Sequence, residues 1–169
     1  VKALAMKKLF HTNYHYMIPE IDDDTDIVLK GTKLLDEFAQ AKKHGMITKP
    51  VMVGAFTFLK LAKYTGKKNA YGYFDAIVNA YRRIIGQLEA AGAQWIAFDE
   101  PALVYDLSEH DVAFFTKLYT AILESKRNVK VLLQTYFGDI RDCYKDALEL
   151  DFDGIGLDLI EGAKALELV

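Results

Sequence analysis

The sequence predicts an α/β fold built from parallel β/α units, and three observations indicate this class. Short apolar runs typical of strands buried on both faces recur along the chain. Segments with apolar residues at helical spacing separate these runs. The chain has 169 residues, of which 51% are hydrophobic and 27% charged, so it is long enough to bury a core. We therefore expect a single domain over residues 1–169.

Five segments are predicted to be strands, namely residues 12–16, 49–54, 94–98, 129–135 and 154–158. Strands that alternate with helices form a parallel sheet with right-handed crossovers, so we expect all five to be parallel neighbours in chain order. A doubly wound sheet and a (β/α)₈ TIM barrel both fit this alternation. No glycine-rich nucleotide fingerprint follows any strand, which weakens the first alternative. A barrel needs eight strands and about 250 residues, so it would be incomplete in this chain.

The predicted helices span residues 33–44, 56–64, 73–91, a segment after Ser108, and residues from about 140 to 148. Gly45 and Gly92 stand where a residue in the left-handed conformation ends a helix. Ser108, followed three residues later by Asp111, is typical of a helix N-terminus.

Composition, charge and the chain ends indicate which partners, cellular compartment and parent protein to expect. The net charge of -3 gives no general attraction for phosphate backbones, so nucleic acid is not expected to bind. No apolar run approaches the roughly 20 residues of a membrane helix, and no signal-peptide pattern opens the chain. The single cysteine, Cys143, allows no internal disulfide and suits the cytoplasm. The chain starts at Val1 without Met and stops at Val169 in the opening turns of a predicted helix, so we expect a segment of a longer protein.

Polar residues follow three of the predicted strands. Asp99 and Glu100, before Pro101, come directly after the strand at 94–98. Carboxylates at the carboxyl end of a barrel strand point into the usual ligand mouth, although an exposed turn ended by proline fits equally well. Thr135 with Tyr136, and Asp158, hold equivalent positions. We expect Asp99, Thr135 and Asp158 to share one rim of the sheet.

The sequence does not favour a metal site. His11 and His15 are four residues apart, but in a strand that spacing spans about 13 Å, too far for one shared ion. The acidic run at 22–26 is interpreted as a solvated loop. Cys143, in a predicted helix between Arg141 and Lys145, has no histidine near it in sequence and is interpreted as an unactivated thiol.

Two lysines, Lys7 and Lys8, precede the segment at 12–16. A lysine in this position could meet an anionic ligand. Two solvated lysines beside a buried aromatic strand explain the same pattern.

Four stretches resemble signatures of the cobalamin-independent methionine synthase family. Residues 6–20 (MKKLFHTNYHYMIPE) resemble its K-W-F-x-T-N-Y-H-Y-M-V-P-E, and residues 49–63 (KPVMVGAFTFLKLAK) resemble K-P-V-x-x-G-P-x-T-x-L-x-L-x-K. Residues 94–104 (QWIAFDEPALV) resemble E-W-V-Q-I-D-E-P-A-L-V, and residues 132–137 (LLQTYF) match L-L-x-T-Y-F. The resemblance covers nearly the whole chain. Leu9 stands where the family has Trp, and Ala55 where it has Pro.

The resemblance implies a methyltransferase of methionine biosynthesis that moves a methyl group from 5-methyltetrahydropteroyl-polyglutamate to homocysteine without cobalamin. It implies two similar (β/α)₈ barrels, with this chain in the N-terminal one and the C-terminal barrel of the same polypeptide as its partner. It places the zinc that activates homocysteine in the C-terminal half and none in this chain. The family's folate-tail lysine corresponds to Lys8, which would pair with a tail carboxylate. Asp99 corresponds to a position whose counterpart in the C-terminal half contacts homocysteine, so Asp99 is the second substrate-binding candidate, and no residue is predicted to be catalytic.

Two expectations follow for the isolated chain. It should be inactive, because zinc activation of the thiol is missing. It should self-associate, because a barrel closes on itself whereas five strands leave open edges. Two other hypotheses remain open for its role: a non-catalytic barrel half that braces the active domain, and a free-standing relative with another methyl donor or acceptor.

Overall fold

The computed structural model describes residues 4–168. Its strands are Met6–Lys8 (β1), His15–Met17 (β2), Glu20–Ile21 (β3), Val51–Val53 (β4), Lys63–Tyr64 (β5), Trp95–Asp99 (β6), Lys130–Gln134 (β7) and Gly154–Gly156 (β8). Its α-helices are Lys33–Lys43 (α1), Ala55–Leu61 (α2), Phe74–Ala90 (α3), Glu109–Leu123 (α4) and Tyr144–Glu149 (α5). Short 3₁₀ helices lie at Ala70–Tyr73, Pro101–Val104 and Ala163–Glu167.

The main sheet has four parallel strands in the order β4-β6-β7-β8. They correspond to the predicted segments 49–54, 94–98, 129–135 and 154–158, whose arrangement as parallel neighbours in chain order is confirmed. The register aligns Val53 with Asp99, Asp99 with Gln134, and Gln134 with Gly156. These four residues form one layer across the sheet, close to the carboxyl ends of the strands.

Helices cover one face of this sheet, and the other face is open in the described part of the chain. Right-handed crossovers between neighbouring parallel strands place their helices on the same side. The strand side chains on that side are fully buried and belong to the core with α3 and α4: Ile96, Phe98, Val131 and Leu133. On the open face, Val51 and Val53 are 47% and 42% exposed. The parallel β/α units thus form an incomplete barrel.

Local sequence explains where the longer helices begin and end. The Ser108 hydroxyl accepts a hydrogen bond from the Asp111 N–H, and the Asp111 side chain accepts one from the Ser108 N–H, both at 3.2 Å. This reciprocal capping box confirms the predicted start of α4. Gly45 and Gly92 follow α1 and α3 with φ of 72° and 91°, as predicted for helix ends. The last predicted helix is too long at its start, because residues 141–143 form a turn before α5.

The predicted parallel strand at 12–16 is wrong. That segment forms the turn and part of the second strand of an antiparallel hairpin, β1–β2. Thr12 closes the turn, because its hydroxyl donates to the Leu9 carbonyl at 2.6 Å and accepts from the Tyr14 N–H at 3.0 Å. A threonine that bonds nearby backbone groups offers the chain an alternative to an extended strand. The β-forming composition of the segment therefore misled the prediction.

A second, two-stranded sheet pairs β3 and β5 in parallel. Strand β5 occupies the end of the predicted helix at 56–64, which stops earlier, at Leu61. The acidic run at 22–26 is a loop beside this sheet, and Asp23 accepts the N–H groups of Lys67 at 2.9 Å and Lys68 at 2.8 Å. These hydrogen bonds lower the pKa of Asp23. The carboxylate therefore fixes the loop that follows β5.

That the chain is a segment of a longer protein stays an expectation for the described residues. Val1 and Val169 lie outside them. The segment read as the opening turns of a helix contains the 3₁₀ helix Ala163–Glu167. Across residues 4–168, no helix is both long enough and apolar enough to cross a membrane.

Candidate functional site

The carboxyl ends of the main strands bring the predicted polar residues to one rim. Asp99 ends β6, Thr135 follows β7, and Asp158 lies two residues after β8. Parallel strands end at the same edge of a sheet, so these residues share a rim, as predicted. The Phe137 N–H donates to Asp158 Oδ2 at 2.8 Å, and the Thr135 hydroxyl donates to the Gly156 carbonyl at 2.8 Å. These bonds tie the loop after β7 to β8 and the loop that follows it.

Asp99 is half-buried at this rim, in the same layer as Val53 of the open face. The Tyr136 hydroxyl donates to Asp99 Oδ2 at 3.1 Å. Burial raises the pKa of Asp99, against the hydrogen bond from Tyr136 and the charge of Lys49, which lower it. Burial and the Asp99 charge also raise the pKa of Tyr136, so the phenol remains a donor. Asp99 can therefore accept a further hydrogen bond from a ligand while Tyr136 holds its orientation.

Glu100, the next residue, belongs to the core instead. It is fully buried and accepts the N–H groups of Phe56 at 2.9 Å and Thr57 at 2.6 Å. The Tyr119 hydroxyl donates to the same carboxylate. Glu100 thus caps the N-terminus of α2 from a distant part of the chain, where free N–H groups favour a negative charge. Of the two adjacent carboxylates, only Asp99 is available to a ligand at the rim.

The buried carboxylate explains the glycine that precedes α2, and Thr57 fixes the position of α2. A Cβ atom on Gly54 would lie 2.2 Å from Cδ of Glu100, so glycine is required there. Thr57 Oγ1 accepts the Ala102 N–H at 3.1 Å, which ties α2 to the segment after β6. Burial raises the pKa of Glu100 to about 7, although hydrogen bonds from Thr57 and Tyr119 oppose the shift.

Lys8, the predicted folate-tail residue, ends β1 on the hairpin. It pairs with His15 of β2, and its side chain is exposed. Within residues 4–168 its ammonium forms no ion pair with a carboxylate. The structure therefore does not join Lys8 to Asp99 directly. It places Lys8 on the exposed hairpin and Asp99 on the rim that the carboxyl ends of the strands form.

The hairpin nevertheless packs against that rim. The Phe10 ring stacks on Tyr105 with centroids 4.9 Å apart and lies 5.4 Å from the Phe137 ring. A mainly apolar pocket of about 310 Å³ lies between the hairpin and the rim. Leu9 and other hairpin residues line one side of it, and rim residues including Tyr136 line the other. Leu9, which replaces the family's Trp, thus faces a cavity.

The described residues contain no metal centre and no activated thiol. No group of three His, Cys, Asp or Glu side chains within residues 4–168 is arranged to hold an ion. His11 lies in the hairpin turn and His15 in β2, so the extended-strand distance used to separate them does not apply. Cys143 is buried just before α5, and burial, with the charges of Asp146 and Asp142, raises its pKa to about 12.

Sequence reasoning missed the residues that join the hairpin to the rim. Phe10, Tyr105 and Phe137 form one aromatic cluster, and none of them was a candidate. Phe10 lies inside the first family-like string and Phe137 inside the last, which was the available signal. Nothing in the local sequence shows that the two meet. Tyr119, whose hydroxyl donates to Glu100, lies in the helix predicted after Ser108 and was not a candidate either.

Comparison with known proteins agrees with this architecture. A family model described as the N-terminal domain of cobalamin-independent synthase matches residues 1–169. A 5-methyltetrahydropteroyltriglutamate–homocysteine methyltransferase of Streptococcus sanguinis is 47% identical over 169 residues, which are 100% of this chain and 22% of that protein. The protein of the same name from Campylobacter jejuni subsp. doylei is also 47% identical over 169 residues, with the same shares.

The chain thus spans about a fifth of the length of these curated relatives. Among solved structures, one named for a vitamin-B12 independent methionine synthase from Listeria monocytogenes matches with a TM-score of 0.69 and 14% identity. That match covers 79% of this chain and 46% of that chain, and at this identity it supports the fold alone. Because the family model spans every residue, the chain belongs to the cobalamin-independent methionine synthase family and represents part of its N-terminal domain.

Proposed function

We propose that this chain is part of a cytoplasmic methyltransferase that transfers a methyl group from 5-methyltetrahydropteroyl-polyglutamate to homocysteine, and that Lys8 binds the glutamate tail of the donor. The names of the curated relatives support the reaction. One observation carries the role of Lys8: its exposed ammonium, without an ion pair in residues 4–168, lies on a hairpin that packs against the carboxyl-end rim.

An exposed lysine suits this ligand chemically. The tail carries several carboxylates on a flexible chain, and an ammonium on a flexible stem can pair with any of them. An exposed ion pair contributes about 1 kcal/mol or less, which corresponds to about fivefold in affinity. Salt screens such a pair, so its contribution should shrink as ionic strength rises.

The rest of the reaction needs groups that the described residues do not supply. Residues 4–168 offer no three ligands for zinc, so we assign the zinc and the homocysteine site to a C-terminal barrel of a longer polypeptide. Zinc bound there would lower the pKa of the homocysteine thiol, so that homocysteine could accept the methyl group as a thiolate. This chain then acts within the N-terminal barrel, where it holds the donor's tail. Turnover of homocysteine and methylated folate triglutamate by the isolated chain would contradict this division.

The role of Lys8 is testable in a chimera in which this chain replaces the matching region of the Streptococcus sanguinis methyltransferase. We expect Lys8→Ala to raise the KM for the triglutamate donor about fivefold and to leave kcat unchanged. The KM for the monoglutamate donor should change less, because that donor lacks the additional carboxylates. Raising the salt concentration should reduce the difference between Lys8→Ala and the unchanged chimera.

Lys7→Ala is the matched control. Lys7 is the neighbouring residue of β1 and is also exposed, but successive side chains of a strand point to opposite faces. It should leave the KM for both donors unchanged. Equal effects of the two substitutions would mean that general positive charge, rather than Lys8, attracts the tail.

A purely structural role is the second candidate, and Glu100 favours it. In the D-E-P string the glutamate carboxylate is a buried helix cap that accepts the N–H groups of Phe56 and Thr57. If Lys8→Ala leaves the triglutamate KM unchanged, the chain braces the active barrel and its surface lysine is solvated.

A further inference from the structure

The tip of the β1–β2 hairpin is attached to the rim by one aromatic side chain. The Phe10 ring stacks on Tyr105 with a 4.9 Å centroid separation and an interplanar angle of 26°. It also contacts Phe137, with centroids 5.4 Å apart. Tyr105 follows the 3₁₀ helix after β6, and Phe137 lies in the loop after β7. A single ring thus bridges the hairpin to the loops that follow two neighbouring strands.

The backbone at both ends of the contact is strained. Phe10 and Phe137, with φ of 52° and 75°, are the two non-glycine residues of the described range with positive φ. Bulky residues rarely adopt this conformation, and glycine would adopt it without strain. Residues held in such conformations persist where their surroundings fix them, and they concentrate at functional sites. Glycine at position 10 would adopt this backbone conformation without strain, but it would lose the ring contacts with Tyr105 and Phe137.

The rim side of this contact is rigidly held. The Phe137 N–H donates to Asp158 Oδ2 at 2.8 Å, and the same carboxylate also accepts the N–H groups of Ile160 and Glu161. The Phe137 ring packs edge-on against Tyr136 with centroids 4.7 Å apart. Phe137 is therefore a fixed platform, and the Phe10 ring attaches the hairpin to it.

The other link from the hairpin to the α2 region is weak. The Tyr16 hydroxyl donates to the Leu61 carbonyl at 3.4 Å, a long hydrogen bond. Lys8 lies two residues from Phe10, at the end of β1 where the turn begins. A hairpin released at Phe10 would therefore leave the Lys8 ammonium without a defined position relative to the rim.

We infer that Phe10 is a positioning residue: its ring, clasped by Tyr105 and Phe137, holds the hairpin so that Lys8 meets the anionic tail of the donor. This inference rests on the proposed function of Lys8. The clasp makes the lysine's contribution depend on an aromatic residue that touches no ligand. Loss of the ring should therefore reproduce the loss of the ammonium.

The test uses the Streptococcus sanguinis chimera and the ratio of the KM for the monoglutamate donor to the KM for the triglutamate donor. Phe10→Gly keeps the backbone conformation accessible and removes the ring. We expect it to lower this ratio by up to about fivefold, to the same extent as Lys8→Ala, with kcat unchanged. The double variant should be no worse than either single variant, because both remove one interaction. Phe10→Tyr keeps the ring and should behave as the unchanged chimera.

Two further variants complete the test: one is a control for the loss of a hairpin ring, and the other removes the Phe10 contact from the rim side. Tyr14→Ala removes another hairpin ring, one that is 74% exposed, and should leave the ratio unchanged. Tyr105→Ala removes the clasp from the rim side, without altering the hairpin, and should match Phe10→Gly. Fluorescence of Trp95 in β6, measured on the isolated chain with the same substitution, reports whether each variant keeps the native sheet.

The outcomes separate the inference from the function on which it rests. If Lys8→Ala has no effect, the proposed function fails. If Lys8→Ala lowers the ratio but Phe10→Gly and Tyr105→Ala do not, the proposed function stands and the positioning role of Phe10 is wrong. If Phe10→Gly raises the KM for both donors equally, the ring contributes to donor binding in general, and Phe10 is not a positioning residue for Lys8.

Discussion

The buried carboxylate of Glu100 should set the pH dependence of the chain's stability, and Glu100→Gln tests this. Glutamine has nearly the same shape and carries no charge at any pH. Its amide oxygen can accept one of the two N–H groups, from Phe56 or Thr57, that Glu100 binds. Its NH₂ group is a donor and would face the other donor. We expect a pH-independent cost of about 1–3 kcal/mol for the buried group left unpaired.

The pH-dependent part has a definite sign. Burial raises the pKa of Glu100 from 4.5 to about 7 in the folded chain. Between these two values the folded chain holds a proton that the unfolded chain has released. The corresponding stability is fully present below pH 4.5 and is lost as the pH rises through about 7. At about 1.4 kcal/mol for each pH unit, the loss amounts to about 3 kcal/mol.

Urea unfolding followed by the fluorescence of Trp95, the one tryptophan of the chain, measures both effects. The free energy of unfolding of the unchanged chain should fall by about 3 kcal/mol between about pH 5 and pH 8, relative to that of Glu100→Gln. Parallel pH profiles of the two proteins would refute the reasoning, because they would mean that Glu100 ionises in the folded chain as it does in the unfolded one.

Asp158→Asn is the matched control. Burial raises the pKa of Asp158, but the N–H groups of Ile160, Glu161 and Phe137 outweigh it, and the net pKa is lowered. The stability it contributes is therefore present above its unfolded pKa of 3.8 and is lost only as the pH falls through the lower folded value. The difference in free energy of unfolding between Asp158→Asn and the unchanged chain should not vary between about pH 5 and pH 8, where the Glu100 effect appears.

Two shorter predictions concern the hairpin and the cysteine. Thr12→Val should destabilise the turn by about 1 kcal/mol, because the Thr12 hydroxyl bonds both the Leu9 carbonyl and the Tyr14 N–H. Hydrogen exchange of the Leu9 and Tyr14 amides should accelerate while the urea transition stays in place; unchanged exchange would show that the backbone alone holds the turn. Cys143, buried and with a pKa raised to about 12, should react with a thiol reagent only at the rate of unfolding. Rapid labelling of the native chain would contradict its placement in the core.

The main sheet could be predicted because most of its strands lie in continuous apolar runs, although one face of the sheet is open in the described residues. Residues such as Ile96, Phe98, Val131 and Leu133 read as continuous apolar runs, and the helices between them carry clear spacing and caps. The hairpin could not be predicted in the same way. Its turn depends on one hydroxyl, that of Thr12, within a segment whose other residues favour strands. A side-chain bond of that kind leaves no periodic pattern.

The site was predictable at the level of strand ends and no further. The adjacent residues Asp99 and Glu100 look alike in sequence, yet one lies at the rim and the other caps α2 in the core. The difference arises from the alternation of side chains at the end of β6 and from Gly54, which leaves room for a carboxylate. Gly54 is 46 positions before Glu100 in the sequence, so no local pattern could have paired them.

The open sheet supports the expectation that the chain self-associates. Of the first and last predicted strands, expected at the two edges, the last is an edge strand and the first is not. Within residues 4–168, the edge strands of the main sheet are β4 and β8, because the segment at 12–16 belongs to the hairpin. Each edge strand pairs on one side only, so its other side presents N–H and C=O groups to a further strand. The open face beside β4 is apolar, with Val51 and Val53 each close to half exposed. Edge groups and an exposed apolar face together favour pairing between copies.

A charge on this face should oppose that pairing. Val51→Lys changes a side chain that is already 47% exposed, so it costs little core packing and places an ammonium on the β4 edge. We expect sedimentation at micromolar concentration to show an oligomer for the unchanged chain and a shift towards monomer for Val51→Lys. Leu148→Lys, on α5 and 58% exposed, alters net charge equally without touching the edge and should remain associated. A stable monomer of the unchanged chain would mean that the edges are closed within one copy, and the edge argument would then be wrong.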